Sequence, residues 1–228
     1  MIGPLELTDT ELVIGGQQIL QPINLAFQPG EITAVAGPSG SGKTTLLSVA
    51  GGLLEPTRGT ATWNGVPMWQ GSGDPRREVA FILQVYGLIP ILSARENVSV
   101  ALRVRGVPPV DADELAEREL SRFFIGDLGD RQVEELSGGQ MQRVACARAL
   151  AVQADIVLAD EPTSELDEGN REHVLAQLRM EARRGAVVVV ATHDPAVVDR
   201  ADQHVTLDEG EVIDALGFAQ ASPFGLPR

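Results

Sequence analysis

One cysteine, Cys146, stands in 228 residues, so no disulfide can close within the chain. That scarcity fits a reducing compartment. In its setting, Arg143-Val144-Ala145-Cys146-Ala147-Arg148, the thiol reads as a small core residue of a helix rather than a nucleophile. Long apolar runs are missing as well. The longest, residues 186–191, falls far short of the roughly 20 needed to cross a bilayer, so no direct membrane insertion is expected. The opening residues, Met1-Ile2-Gly3-Pro4-Leu5-Glu6, lack the basic region and apolar stretch of a secretion signal, and a soluble intracellular chain is expected. Basic residues are outnumbered, 18 Lys and Arg against 32 Asp and Glu, for a net charge of −14. A nucleic-acid binder would show a basic patch or stripe, so nucleic acid is not an expected partner. There is no internal repeat and no bias toward a fibrous or disordered composition.

What is present suits one large domain, or one domain carrying a subdomain: 43% of the residues are hydrophobic and 22% charged. Residues 5–12 and 23–27 alternate as half-buried strands do, and 31–36 is a continuously apolar strand ending at Gly37. A helix is expected from Gly42 to about Ala50, with Leu46, Leu47 and Ala50 on its apolar face. Asn64-Gly65 between 60–63 and 66–68 reads as a tight hairpin, followed by a short strand at 79–83. The middle of the chain is helical. Ser93 and Glu96 form a capping box for a helix to about Val104. The next helix is expected to start at Asp111 or Asp113, with Leu115, Leu120, Phe123 and Phe124 as its apolar stripe. Strand and helix then alternate: strand 155–160, helix 168–184, strand 186–192, short helix 195–201, and a hairpin of 205–207 with 212–213. This is an α/β pattern with parallel strands. The Pro- and Gly-rich residues 219–228 read as a loose tail.

Between the strand at 31–36 and the following helix lies Gly37-Pro38-Ser39-Gly40-Ser41-Gly42-Lys43-Thr44-Thr45, a full match to the phosphate-binding loop in its proper strand–helix setting. Its glycines let backbone N–H groups turn in around a β-phosphate, and the helix N-terminus adds its dipole. Lys43 can bridge β- and γ-phosphate oxygens, and Thr44 offers a hydroxyl to Mg²⁺. A second element, Ile156-Val157-Leu158-Ala159-Asp160-Glu161, is an apolar strand ending in two carboxylates. Asp160 suits the metal, and Glu161 suits a general base for the attacking water. A third, Leu136-Ser137-Gly138-Gly139-Gln140, opens an Ala-rich helix. The Ser137 hydroxyl and the Gly138 and Gly139 amides make a second anion-binding tip there.

These motifs, in this order, resemble the ATPase domains of ATP-binding-cassette (ABC) proteins, and the resemblance covers nearly the whole chain. It implies a P-loop NTPase core, an antiparallel β subdomain and a helical subdomain. The expected division is 1–84 and 155–228 for the core with its β subdomain and 85–154 for the helical part. It implies ATP and Mg²⁺ as ligands and a homodimer in which the Ser137 tip closes over ATP held by the opposite subunit. Gln84 matches the glutamine that senses Mg²⁺ and the attacking water. His193 matches the histidine that contacts the γ-phosphate, and Ser164-Glu165-Leu166-Asp167 resembles the loop crossing the dimer seam. Two positions depart from the pattern. Ile14 stands where an adenine-stacking aromatic is usual. Glu165 stands where a small residue is usual, and its carboxylate either repels the facing acidic loop or pairs with a basic group across the seam.

The resemblance implies that ATP closes the dimer, that hydrolysis at Glu161 reopens it, and that a membrane permease follows through residues 84–105. The segments 79–90 and 93–98 are similar to the lipoprotein-release and macrolide-export branch, as is the compact length. The alternatives are the ATPase of a membrane complex for cell division or wall remodelling that moves no substrate, and a soluble ABC ATPase acting on nucleic acid or ribosomes. Tandem cassettes or coiled-coil arms, usual in the last class, are missing.

Overall fold

The computed structural model describes residues 2–217, so the stretch 219–228 lies outside the described residues. Two sheets and a set of helices build the fold. The first sheet is antiparallel, in the order β2-β1-β4-β5, from β1 Leu5–Ile14, β2 Gln17–Phe27, β4 Arg58–Trp63 and β5 Val66–Pro67. The second has the order β10-β9-β3-β8-β7-β6, from β3 Ile32–Ala36, β6 Val79–Ile82, β7 Ile156–Asp160, β8 Val187–Thr192, β9 Gln203–Asp208 and β10 Glu211–Leu216. Its strands run parallel except for the closing β9–β10 hairpin.

The central strands are apolar throughout because both faces are covered. Ile156, Leu158, Val187 and Val189 face a core shared with α1 (Lys43–Ala50) and the antiparallel sheet. Val157, Ala159, Val188 and Val190 face the opposite core, built with α4 (Gly138–Ala151) and α5 (Glu168–Arg183). Parallel pairing then sets the ends of β3, β7 and β8 side by side, with Ala36 opposite Thr192 and Asp160 opposite Ala191. The phosphate loop, the paired carboxylates and His193 all leave this one edge, where α/β sheets bind ligands.

Between β6 and β7 come α2 Ala94–Val104, α3 Pro109–Arg122 and α4. Ser93 and Glu96 cap α2 reciprocally, as their spacing requires. The start of α3 differs from the sequence expectation: it begins at Pro109, whose fixed φ suits the first helical position. Asp113 instead accepts from Ser99 (2.6 Å) and Arg103 (2.8 Å), joining α3 to α2. The buried face of α3 is Ala112, Ala116 and Leu120. Phe123 is buried, but Phe124 has a left-handed φ of 56° and is 66% exposed, because the helix has already ended. Among the described residues no helix is long and apolar enough to cross a membrane.

Candidate active site

The phosphate loop runs from the end of β3 into α1. Gly42 caps α1 with a φ of 104°, a conformation that L side chains avoid. Gly37 is equally constrained, since a Cβ there would lie 2.2 Å from the Leu207 carbonyl oxygen. Lys43 is buried, and its ammonium donates to the carbonyls of Gly37 (2.8 Å) and Pro38 (2.9 Å) across the loop. Ser39 and Gly40 form the exposed rim, whereas Ser41 is buried. Thr44 and Thr45 occupy the first turn of α1, and Thr44 Oγ1 donates to Asp160 Oδ2 at 2.6 Å.

Asp160 closes β7, and burial pushes its carboxyl above the ordinary value. The Thr44 bond pulls it down, the Glu161 charge pushes it up, and Lys43 pulls it down. The folded state therefore holds the proton more tightly than the unfolded chain does. Stability present at low pH is lost as pH rises from the unfolded value of about 3.9 through the raised folded one. At neutral pH the ionised carboxylate is a net cost to the ligand-free fold. Asp160→Asn should raise the melting temperature of the ligand-free protein at pH 7 by a few degrees. Differential scanning fluorimetry measures this, and a fall of the same size would contradict the burial argument.

Glu161 follows directly, buried, with a left-handed φ of 49°. Its N–H donates to the Ala191 carbonyl at 2.9 Å, which turns the side chain toward the end of β8. There His193 Nδ1–H donates to Glu161 Oε1 at 2.7 Å, and the Thr192 hydroxyl lies 3.4 Å from Oε2. The His193 side chain is 64% exposed, and with Nδ1 engaged its Nε2 is left for a substrate. The structure thus joins two pairs on one edge, Thr44 with Asp160 and Glu161 with His193. Gln84 sits in the exposed turn after β6, whose Ile82 pairs with Ala159 one residue before Asp160. Ile14 lies at the tip of the β1–β2 hairpin, 52% exposed.

The Ser137–Gln140 tip stands apart. Ser137 N–H donates to Gln140 Oε1 at 2.9 Å, and Gln140 N–H donates to the Ser137 hydroxyl oxygen at 3.4 Å. This reciprocal cap leaves the hydroxyl proton free to donate outward. Among the described residues no hydrogen bond or ion pair links this tip to the phosphate loop. Asp167 caps α5 by accepting from Asn170 N–H at 2.9 Å, a bond that holds its carboxyl below the ordinary value.

Sequence reasoning missed two residues that fix the loop after Gln84. Arg148, from α4, donates to the carbonyls of Tyr86 (2.8 Å) and Gly87, and burial lowers its pKa from the usual guanidinium value. Asn97, fully buried in α2, accepts from Ile89 N–H (2.7 Å) and donates to the carbonyls of Ile89 (3.1 Å) and Ser93 (3.0 Å). An arginine in the last turn of a helix is ordinary dipole compensation, so nothing in the sequence marked Arg148.

Comparison with known proteins places these observations. A family model described as "ABC transporter" matches residues 20–164. The lipoprotein-releasing system ATP-binding protein LolD 1 of Rhodospirillum rubrum is 39% identical over 203 residues, covering 86% of this chain and 90% of that protein. The macrolide export ATP-binding/permease protein MacB of Marinobacter nauticus is 36% identical over 209 residues, 90% of this chain but 32% of that protein. The chain thus spans about a third of the length of the ATP-binding/permease relatives it matches. Among solved structures, the dimeric post-hydrolysis state of the ATP-binding cassette MJ0796 bound to ADP and Pi superposes with a TM-score of 0.84. It is 31% identical, with 92% of this chain and 97% of that chain covered.

Proposed function

Because the chain belongs to the ABC transporter family, we propose that it is the ATP-hydrolysing subunit of an export or lipoprotein-release type transporter. In this reading it works as a homodimer around two ATPs and drives a conformational change in a membrane permease. The observation that carries the proposal is the shared edge on which Lys43, the Thr44–Asp160 pair and the Glu161–His193 pair meet.

The roles follow from the geometry. Loop amides from Gly37 to Thr45 cradle the phosphates, and Lys43 exchanges its two carbonyl partners for phosphate oxygens. Thr44 and Asp160 fit Mg²⁺: both are hard oxygen donors, already 2.6 Å apart, and the buried carboxylate lacks a full counter-charge. Gln84 supplies a third oxygen from the neighbouring strand end. When bound, the metal neutralises charge on the β- and γ-phosphates. Glu161 Oε2 accepts the proton of the attacking water while His193, held by Oε1, is placed beside the γ-phosphate. Ser137, Gly138, Gly139 and Gln140 complete the partner's site, and Asp167 supports the seam loop. The dimers formed by the structural neighbours support this arrangement.

The permease surface is assigned to residues 84–105, within which Val85, Ile91 and Val104 are 79%, 78% and 81% exposed. These apolar side chains, exposed on the loop and helix that follow β6, support that assignment. Peripheral attachment at the inner face of a membrane follows from that partner. Retrieval from native membranes with the Glu161→Gln chain, ATP and Mg²⁺ tests the proposal. A co-purifying permease supports it. A partner for division or wall remodelling would move the reading to a complex that transports nothing, and ribosomal or DNA-bound partners alone would overturn the membrane assignment.

Ile14 gives a separate expectation. Base–aromatic stacking is worth about 1–3 kcal/mol, and an aliphatic side chain provides only apolar contact. ATP and GTP should therefore compete nearly equally in a fluorescent-nucleotide displacement titration. A strong ATP preference would contradict the assignment of Ile14 to the base.

A further inference from the structure

Gln84 sits in a turn that is held from outside. Tyr86 N–H closes the turn by donating to the Leu83 carbonyl at 2.9 Å, which makes Gln84 and Val85 its two central residues. Tyr86 and Gly87 then take left-handed φ values of 59° and 60° in succession. A tyrosine adopts that conformation only where its surroundings impose it. The imposing group is Arg148. Its guanidinium donates to the Tyr86 carbonyl at 2.8 Å through one nitrogen and to the Gly87 carbonyl through another. The approach is close, since a Cβ on Gly87 would lie 3.4 Å from Arg148 Nη2 and 3.0 Å from Leu83 Cδ1. Among the described residues the guanidinium has no carboxylate partner, and its hydrogen bonds go to these two carbonyls. Withdrawing a cation from water without a counter-charge carries a cost. Compensation of the α4 dipole does not require it, because an exposed side chain would serve as well. One residue thus joins the clamp to the turn: Tyr86 N–H closes the turn around Gln84 while its carbonyl is held by Arg148.

We propose that Arg148 is a positioning residue for hydrolysis: by fixing the Tyr86 peptide it sets where the Gln84 side chain stands beside Asp160 and Glu161. The inference rests on the reading of Gln84 as a metal ligand given above. A planar guanidinium fork meets two carbonyls at once, which a lysine ammonium on a flexible stem does not. Among the described residues no hydrogen bond or ion pair joins Arg148 to the phosphate loop, so nucleotide binding is left to Lys43 and the loop amides. Asn97 fixes the far end of the same segment at Ile89, five residues beyond Gln84.

The test compares Gln84→Ala, Arg148→Met and the two combined. Arg148→Met should lower kcat about tenfold, as displacing a reacting group does, with ATP affinity at the parent value. Because the arginine acts through Gln84, the double variant should be no slower than Gln84→Ala alone. General damage to the fold would instead multiply the two losses. Hydrogen–deuterium exchange of the nucleotide-free chains gives a readout independent of turnover. The amides of residues 84–88 should exchange about tenfold faster in Arg148→Met, while those of 141–147 in α4 keep the parent protection. Arg148→Lys, which keeps the charge, should show both effects in weaker form and replaces the methionine variant if that chain does not fold. Parent-level turnover without the guanidinium, multiplied losses in the double variant, or unchanged exchange in the loop overturns the positioning role. If Gln84→Ala hydrolyses ATP at the parent rate, the reading of Gln84 falls, and this inference with it.

Discussion

Glu161→Gln is expected to bind ATP as the parent chain does and to hydrolyse it about 10²–10⁴ times more slowly, the range for removing a positioned general base. The geometry separates the two effects. Among the described residues no hydrogen bond or ion pair joins Glu161 to the phosphate loop; its side chain bonds to His193 and Thr192 at the end of β8, and its backbone to Ala191 and Ser164. Glutamine can keep the contact with His193 through its amide oxygen but cannot take a proton from water. Its fold should be unchanged, because the backbone bond to Ala191 that holds the left-handed φ needs no side chain. Phosphate release under saturating ATP–Mg²⁺, set beside equilibrium nucleotide binding, measures both quantities. Turnover at the parent level would remove Glu161 from the role of base.

Lys43→Ala is expected to act earlier, abolishing nucleotide binding at concentrations that saturate the parent. Lys43 is the only lysine in the chain, so no neighbouring amine takes its place. Hydrogen bonds to charged groups contribute about 1.5–3 kcal/mol each. Losing two to phosphate oxygens lowers affinity by a factor on the order of 10² or more. The ligand-free fold should lose little, because the carbonyls of Gly37 and Pro38 sit in a partly open loop where water can replace the ammonium. Isothermal titration with a non-hydrolysed ATP analogue, alongside thermal melting, distinguishes the two. Parent-like affinity would contradict the assignment, and a collapsed melting temperature would show that the lysine is needed for the fold itself.

Much of this arrangement was legible in the residues because local and tertiary demands agree. The runs 156–159 and 187–190 are apolar at every position, and each alternate side chain feeds a different core. Asn64 and Gly65 both take left-handed φ values, 52° and 73°, as their hairpin requires. Other features had no local signal. The polar residues Gln17 and Gln18 are strand because Ile14 and Val13 of β1 pair with them, a tertiary cause. The start of α3 was misplaced because two aspartates looked like caps while Pro109 set the first turn. Arg148 and Asn97 act on carbonyls and amides of a distant loop, and spacing along the chain says nothing of that.

The central claim is that ATP joins the phosphate loop of one subunit to the Ser137 tip of another. Disulfide trapping tests it directly, with Ser39→Cys and Ser137→Cys introduced together in the Glu161→Gln chain. Both positions are exposed, and the native Cys146 does not compete, being fully buried with its thiol pushed up to about 12. The expected result is a covalent dimer of twice 24.3 kDa that forms under mild oxidation with ATP and Mg²⁺ and not without nucleotide. A chain that binds ATP fully yet stays monomeric through the same oxidation would contradict the account.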